Sequence, residues 1–297
     1  MTAINTIRVA ANGLDFEVAV CGNGPRFALL LHGFPECNHS WRHQLPLLAE
    51  LGYTAWAPNL RGYGGTTRPS RVGEYRMRHL VDDVAGLIDA AGAERTLLVG
   101  HDWGGAIAWI FALAGIRPLD RFIVMNLPHP KLFRSGLKTM AQLRRSWYIF
   151  FFQLPWLPER FLGAGGARRV SGIIRGTAVN KERFQAADLE VYRRNAAQTG
   201  AIRAMLAYYR AFIRYPMDRD LARAVHRTLE TPTLMLWGEE DTALGKELTV
   251  GTDELVRDFT LRYLPGVSHW VQQEAPETVN AMIRGWIEGR TVLNPAS

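Results

Sequence analysis

The hexapeptide GHDWGG, residues 100–105, places an aspartate at the centre of a turn that glycines flank. It follows the apolar run TLLVGHD and precedes GGAIAWIFALAG, so a buried strand should lead in and a helix should lead out. Gly100 and Gly104, two residues before and two after Asp102, suit the sharp backbone of such a turn. The helix would direct the positive end of its dipole at the Asp102 carboxylate. Asp102 is therefore the candidate nucleophile.

Two further groups able to do chemistry follow late strands. The strand TPTLMLWG leads into a loop with Asp241, and the strand FTLRYLPG leads into a loop with His269. Glu239 and Glu240 compete for the acid role, but the spacing from the end of the strand favours Asp241. Ligands of open α/β sheets bind at the carboxyl ends of the strands, where these side chains should meet. We predict a triad of Asp102, Asp241 and His269.

The choice of an aspartate as nucleophile limits the substrate. A carboxylate that attacks an ester carbonyl would form an anhydride, which is uphill, and a serine performs that reaction better. A carboxylate that displaces a leaving group from a saturated carbon forms an ordinary ester. Asp102 therefore indicates an electrophilic sp³ carbon, chiefly that of an epoxide or an alkyl halide. His269, oriented by Asp241, would then activate the water that hydrolyses the ester.

The segments that must position these residues alternate between strand and helix. This alternation predicts an α/β fold with a mostly parallel sheet flanked by helices, preceded by a hairpin at Asn12-Gly13. Between Pro128 and Pro216 the pattern becomes helical and rich in aromatic residues and arginine. We predict a core domain of residues 1–128 and 217–297, with residues 129–216 inserted as a helical cap.

Composition restricts the partners and the compartment. The 297 residues carry a formal charge of +7, with arginine pairs that we interpret as dispersed, solvated faces. No stretch reaches the roughly 20 apolar residues of a membrane span, and the beginning of the chain lacks a secretory signal pattern. Two cysteines form no disulfide framework. We expect a cytoplasmic monomer or homodimer that binds neither nucleic acid nor membrane and needs no metal or cofactor.

The motifs together resemble the α/β-hydrolase superfamily and, more closely, its epoxide hydrolases. The resemblance runs along nearly the whole chain, through LLHGFPE, NLRGYGGT, GHDWGG, LWGEEDTAL and GVSHWVQQEAPE. It implies an α/β-hydrolase fold with Asp102 as nucleophile and His269 and Asp241 completing the triad. It also implies that the backbone amides of Phe34, in HGFP, and of Trp103 form the oxyanion hole.

Two cap motifs favour an epoxide over a halide. SWYIFFFQLP resembles the first cap-tyrosine motif of epoxide hydrolases, which assigns the role to Tyr148. GAIRAMLAYYRAF resembles the second, in which the tyrosine before arginine is Tyr209; Tyr208 stands where the family often has tryptophan. A tyrosine hydroxyl suits an epoxide oxygen because that oxygen leaves as an alkoxide. The residue after His32-Gly33 is Phe34, whereas haloalkane dehalogenases commonly have asparagine for the halide.

The predicted activity is hydrolysis of an apolar alkyl or aryl epoxide to a vicinal diol through an ester of Asp102, with the epoxide and water as partners. Two alternatives stay open: a haloalkane dehalogenase that uses the same aspartate, and a ligand receptor on a hydrolase fold. The predicted substrate-binding residues are aromatic: Phe34, Trp103, Trp147, Phe151 and Trp270.

Overall fold

A central sheet of eight strands organises the chain, of which a computed structural model describes residues 3–293. The spatial order of the strands is β1-β2-β4-β3-β5-β6-β7-β8. This confirms the predicted α/β-hydrolase fold, and the strands are β1 Asn5–Ala11, β2 Leu14–Cys21, β3 Arg26–Leu31, β4 Tyr53–Pro58, β5 Thr96–His101, β6 Leu119–Met125, β7 Thr233–Gly238 and β8 Phe259–Leu264.

The pairing of the strands brings the candidate site to one edge of the sheet. β1 and β2 form an antiparallel hairpin around Asn12 and Gly13, both of which have the positive φ that such a turn requires. β2 also runs antiparallel to β4, whereas β4, β3, β5, β6, β7 and β8 pair in parallel. The carboxyl ends of β5, β6, β7 and β8 therefore lie side by side.

Helices cover both faces of the sheet because successive strand residues point to opposite sides. Leu29 and Leu31 of β3 pack into the core that includes the second and third helices, while Ala28 and Leu30 pack into the core that includes the first and last. These helices are α1 Gln44–Glu50, α2 Met77–Ala90, α3 Trp103–Ala114 and α12 Pro276–Ile287, with the short α11 Val271–Glu274 before the last one.

Residues 126–232, all of which the structure describes, form helices and no regular strand. The boundaries of the cap domain at residues 129 and 216 remain a prediction. None of the helices in the described part of the chain has the length and apolar character needed to span a membrane. The helices between β6 and β7 are α4 Pro130–Gly136, α5 Met140–Arg145, α6 Trp147–Phe151, α7 Leu157–Thr177 (interrupted at residues 164–167), α8 Ala186–Ala197, α9 Ala201–Arg214 and α10 Arg219–Ala224.

Candidate active site

Asp102 stands in the sharp turn between β5 and α3. Its backbone has φ 48° and ψ −122°, a conformation that L-residues rarely adopt and that projects the side chain from the end of the sheet. Gly104 makes this turn possible because any side chain there would collide with the backbone carbonyls of Leu31 and His32. A side chain on Gly100 would lie 2.7 Å from the Gly104 carbonyl oxygen. The glycine spacing in the sequence therefore has a steric cause.

Asp241 and His269 meet Asp102 at the same edge. Asp241 Oδ2 lies 2.6 Å from His269 Nδ1, and His269 Nε2 lies 3.6 Å from Asp102 Oδ2. The other Asp241 oxygen accepts hydrogen bonds from the amides of Ala243 and Leu244 at 2.7 and 2.9 Å. Both loops thus fix the imidazole with one nitrogen toward Asp241 and the other toward Asp102.

Asn126 is a further member of this arrangement, and we did not predict it from the sequence. It follows β6, has a positive φ of 39°, and donates from Nδ2 to Asp241 Oδ2 at 2.8 Å. Its own Oδ1 accepts from the Gly238 amide at 2.9 Å. The available signal was an asparagine at the end of the strand RFIVMN, because this end lies at the same edge as the triad.

Asp102, Asp241 and His269 are buried titratable groups that shift one another's pKa values. Burial acts to raise the pKa of Asp102, but the hydrogen bond and charge of His269 outweigh it and hold the pKa below its usual value. Burial likewise acts to raise the pKa of Asp241, and the charge of His269 overcomes it. Burial acts to lower the pKa of His269, but the two carboxylates raise it well above the ordinary value. The geometry therefore favours an imidazolium between two carboxylates.

A backbone amide separates the roles of the two Asp102 oxygens. The Phe34 amide donates to Asp102 Oδ1 at 2.6 Å, whereas Oδ2 faces His269. Phe34 reaches this position because the loop after β3 turns back on itself, with the Glu36 amide donating to the Gly33 carbonyl at 3.0 Å. Trp103 directly follows Asp102 as the first residue of α3. An amide on Oδ1 leaves Oδ2 as the oxygen able to attack.

The two predicted cap tyrosines come together above this carboxylate. Tyr148 of α6 and Tyr209 of α9 have ring centroids 5.8 Å apart, and Tyr209 packs against Phe34 and Trp103 at 5.2 and 5.1 Å. Burial, reinforced by the charge of Asp102, raises the pKa of both hydroxyls above the usual value. Both side chains line the cavity that contains Asp102. They are therefore protonated hydroxyls available to a bound molecule.

The neighbouring Tyr208 uses its hydroxyl for a hydrogen bond within the protein. Its hydroxyl is buried and donates to the Arg61 carbonyl at 2.8 Å, on the side of the cap helix that packs against Tyr63 and Tyr75. The structure thus turns Tyr209 toward the triad and uses Tyr208 to attach α9 to the core.

A cavity of about 1030 Å³ leads away from Asp102 between the core and the cap. Its wall is mostly apolar and includes Trp103, Phe133, Tyr148, Tyr209 and Phe212, with Leu127, Ile149 and Leu244 among the aliphatic residues. Such a space is large enough for an aryl or alkyl substrate.

Of the five residues predicted to bind substrate, Trp103 lines this cavity and the other four do not. Trp147 opens α6 on its solvent side and is 61% exposed, while Phe151 packs between Trp147 and Phe161. Trp270 is buried behind the triad, where it contacts the His269 ring at 4.9 Å and donates to Thr177. Phe34 contacts Tyr209 and Phe152 beside the cavity, and Trp103 belongs to its wall.

A buried polar network lies behind the site, and the sequence analysis did not predict it. The Glu36 carboxylate accepts from the Gly33 amide and lies 2.8 Å from His101 Nδ1. His101 Nε2 in turn lies 2.9 Å from the His269 carbonyl oxygen, so its N–H can donate there. Gln272 and Gln273 of α11 complete the shell around Glu36. This network fixes the backbone that presents the Phe34 amide and the His269 ring.

Comparison with known proteins agrees with this geometry. Residues 29–276 match a family model described as alpha/beta hydrolase fold. The human protein named epoxide hydrolase 4 is 35% identical over 293 residues, covering 96% of this chain and 79% of its own. Epoxide hydrolase 3 of Xenopus tropicalis is 36% identical, covering 95% and 77% respectively.

A solved structure gives the same result for the fold. A single-residue variant of an epoxide hydrolase from Bacillus megaterium, in complex with its product (R)-3-[1]naphthyloxy-propane-1,2-diol, superposes with a TM-score of 0.85. It is 28% identical, and the match covers 95% of this chain and all of the other. From the family match, the curated relatives and the shared architecture, this chain belongs to the α/β-hydrolase fold family and, within it, to the epoxide hydrolases.

Proposed function

We propose that this protein converts an apolar epoxide to a vicinal diol through a covalent ester of Asp102. The observation that carries the proposal is a carboxylate at the strand-to-helix turn that lines the same cavity as two cap tyrosines. The carboxylate suits attack on a saturated carbon, and the tyrosines suit the oxygen that such an attack releases. The names of the relatives support the same activity.

In the first step Asp102 Oδ2 attacks an epoxide carbon, the C–O bond breaks, and the ring oxygen takes a proton from a tyrosine. Tyr148 and Tyr209 are the donors, since both hydroxyls are protonated and line the cavity. The lowered pKa of Asp102 keeps the nucleophile ionised at neutral pH. The product of this step is a neutral hydroxyalkyl ester and a tyrosinate, which regains its proton from the His269 imidazolium through water.

In the second step His269 removes a proton from water, which attacks the carbonyl carbon of the ester. Ester formation removes the negative charge of Asp102, one of the two charges that raise the pKa of His269. The pKa of the His269 imidazolium therefore falls, so it gives up its proton and leaves the neutral imidazole that this step needs as its base. The oxyanion forms on Oδ1, where the Phe34 amide already donates and the Trp103 amide can add a second bond. Collapse releases the diol and restores the carboxylate.

The cavity also supports a substrate class. Its largely apolar wall near Asp102 favours an aryl or alkyl epoxide over a charged one. The Bacillus megaterium neighbour holds a naphthyloxy diol as its product. We therefore choose naphthyl glycidyl ether, the epoxide that would yield such a diol, and styrene oxide as the first substrates.

The test is a single turnover with excess enzyme in ¹⁸O-labelled water, followed by mass spectrometry of the diol and of the peptide that contains Asp102. We expect an unlabelled diol and label in the Asp102 carboxylate, because the first diol takes its oxygen from the protein. His269→Gln should accumulate the ester, and Asp102→Asn should form none. A labelled first diol would contradict the covalent route, and bromide release from an alkyl bromide without diol formation would favour the dehalogenase.

A further inference from the structure

The outer surface of the cap carries an exposed apolar patch. Trp147, Phe150 and Leu154 follow one another at helical spacing and are 61%, 55% and 44% exposed. The opposite side of the same turns holds Ile149 and Phe152, which are buried, so this segment is apolar on both sides. A solvated helix face is normally polar, and a contiguous exposed apolar patch marks an interaction surface.

Contacts extend this patch onto the next helix. Phe151 joins Trp147 to Phe161 of α7, with ring centroids 5.9 and 5.8 Å apart. The connecting turn presents Trp156, which is 64% exposed. We call the surface formed by Trp147, Phe150, Leu154, Trp156 and Phe161 the cap patch.

Trp156 is held outward by a strained backbone. Its φ of 50° is the left-handed conformation, which a bulky residue seldom adopts, and Pro155 and Pro158 stiffen the turn around it. Exposure of a large aromatic side chain to water is unfavourable, and so is the strained backbone that holds it there. The strain and the exposure together point to an external contact.

Charge identifies the kind of partner. Residues 130–177 contain nine lysines and arginines and a single acidic residue, Glu159, whose carboxylate is paired with Arg210. The remainder of the chain has 26 basic and 27 acidic residues, so the positive excess of the protein resides in these four cap helices. All nine cations are exposed, and Arg144, Arg145 and Arg160 are within three residues of Trp147 or Phe161 in the sequence. The Arg169 guanidinium lies over the Phe161 ring, 4.2 Å from its centroid, so positive charge accompanies the cap patch.

We propose that the cap patch docks on the surface of an anionic lipid bilayer. Exposed Trp and Phe side chains surrounded by Lys and Arg are the composition of interfacial membrane contacts. Aliphatic Leu154 favours lipid over single-stranded nucleic acid, because only flat rings stack on bases. Lys131, Arg134 and Lys138 of the same basic region line the active-site cavity. Docking would therefore bring the cavity close to apolar molecules dissolved in the bilayer. This proposal is independent of the chemistry at Asp102.

The test is cosedimentation of the protein with vesicles of phosphatidylcholine alone or mixed equally with phosphatidylglycerol. We expect binding to the anionic vesicles that declines with salt. Arg144→Gln/Arg145→Gln should weaken it by about tenfold or more, since each basic residue near such a surface contributes about fivefold. Phe150→Gln/Trp156→Asn should abolish the fraction of vesicle binding that persists at high salt. Arg95→Gln/Arg257→Gln, which removes two exposed arginines next to β5 and β8 at the opposite edge of the sheet, is the matched control and should bind like the wild type.

Three results would overturn the proposal: no binding to either vesicle, equal binding to both, or equal losses in the control. Light scattering tests whether the cap patch binds a second copy of the chain, and a DNA-binding assay tests whether it binds nucleic acid. A dimer that the Phe150/Trp156 variant dissociates would assign the patch to a second copy of the chain. Charge-dependent DNA binding in place of vesicle binding would assign it to nucleic acid. Turnover of a dissolved epoxide by each variant verifies that it is folded.

Discussion

At the scale of single residues, the chemistry of the site depends on which polar atoms already have a hydrogen-bond partner within the protein. One Asp102 oxygen accepts from the Phe34 amide and the other faces His269, and the Tyr208 hydroxyl is bonded to a carbonyl whereas Tyr148 and Tyr209 line the cavity with Asp102. Groups with a partner in the protein stabilise the fold, and groups that face the cavity are available to a substrate. This distinction yields two predictions.

Tyr148→Phe and Tyr209→Phe should each slow alkylation of Asp102 by about 100-fold, because each removes a proton donor to the leaving oxygen. Rapid-quench measurement of ester formation checks this. Tyr208→Phe is the matched control on the adjacent residue. It should leave alkylation near the wild-type rate and lower the free energy of unfolding by about 1 kcal/mol, since the buried Arg61 carbonyl loses its donor. A large rate loss in Tyr208→Phe with none in Tyr209→Phe would reverse the assignment.

The second prediction concerns the charge on His269. Asp102 and Asp241 both raise the pKa of this imidazole, so Asp102→Asn should lower it. Titration of the histidine resonances by NMR measures the change. Asp188→Asn is the control, because Asp188 pairs with His39 and not with His269, and it should leave the His269 pKa unchanged. An unaltered His269 pKa in Asp102→Asn would contradict the electrostatic account of the second step.

At the scale of elements, the two tyrosines depend on one arginine that fixes their helices to each other. Arg210 of α9 is buried, donates to the carbonyls of Phe152 and Leu154 after α6, and forms an ion pair with Glu159 of α7. Gln153 adds a hydrogen bond to the Tyr209 carbonyl. Arg210, which follows Tyr209 in the sequence, therefore has a structural role, because it sets the distance between Tyr148 and Tyr209.

Arg210→Met should lower the free energy of unfolding by about 3 kcal/mol, because it leaves a carboxylate and two carbonyls without their donor. Alkylation should also slow by about tenfold or more as the tyrosines move out of position. Chemical denaturation and rapid quench give the two values. Arg203→Met, on the exposed side of the same helix with one hydrogen bond to Ser70, should change either value little. Equal effects of the two substitutions would argue against a role of Arg210 in fixing the helices of Tyr148 and Tyr209 to each other.

At the scale of the whole molecule, stability should depend on pH through histidines whose pKa is lowered in the folded protein. Burial lowers the pKa of His32, His43 and His129 to about 4 from an ordinary value of 6.5. The unfolded chain therefore binds more protons in this range, and the stability present above pH 6.5 is lost as the pH falls toward 4. The raised pKa of His269 acts in the opposite direction, because its contribution is lost only as the pH rises through that pKa.

The free energy of unfolding should thus fall between pH 6.5 and pH 4 by up to about 1.4 kcal/mol per pH unit for each of these histidines. Denaturation with urea at several pH values measures the slope. His129→Gln should reduce the slope, since His129 is buried against Trp109. His226→Gln removes an exposed histidine whose charge adds only a smaller effect to the burial of His129, so it should alter the slope much less. A slope that His129→Gln does not alter would contradict the assignment.

The sequence by itself determined the fold and the identities of the triad candidates. Strand and helix periodicities, with glycines at the turn, follow from local sterics, so they predicted a mostly parallel sheet with flanking helices and a strand-to-helix turn at Asp102. Asp241 and His269 were found for the same reason, because a residue just after a parallel strand reaches the carboxyl edge whatever the rest of the chain does.

Only the tertiary structure decided which way the cap side chains point. Tyr208 and Tyr209 are neighbours on a helix and point about 100° apart, and packing against Arg61 and Trp103 selects which of them faces Asp102. The same packing turned Trp147 outward. Contacts between helices are long-range and leave no periodic trace in the sequence, so the sequence alone could not predict these orientations.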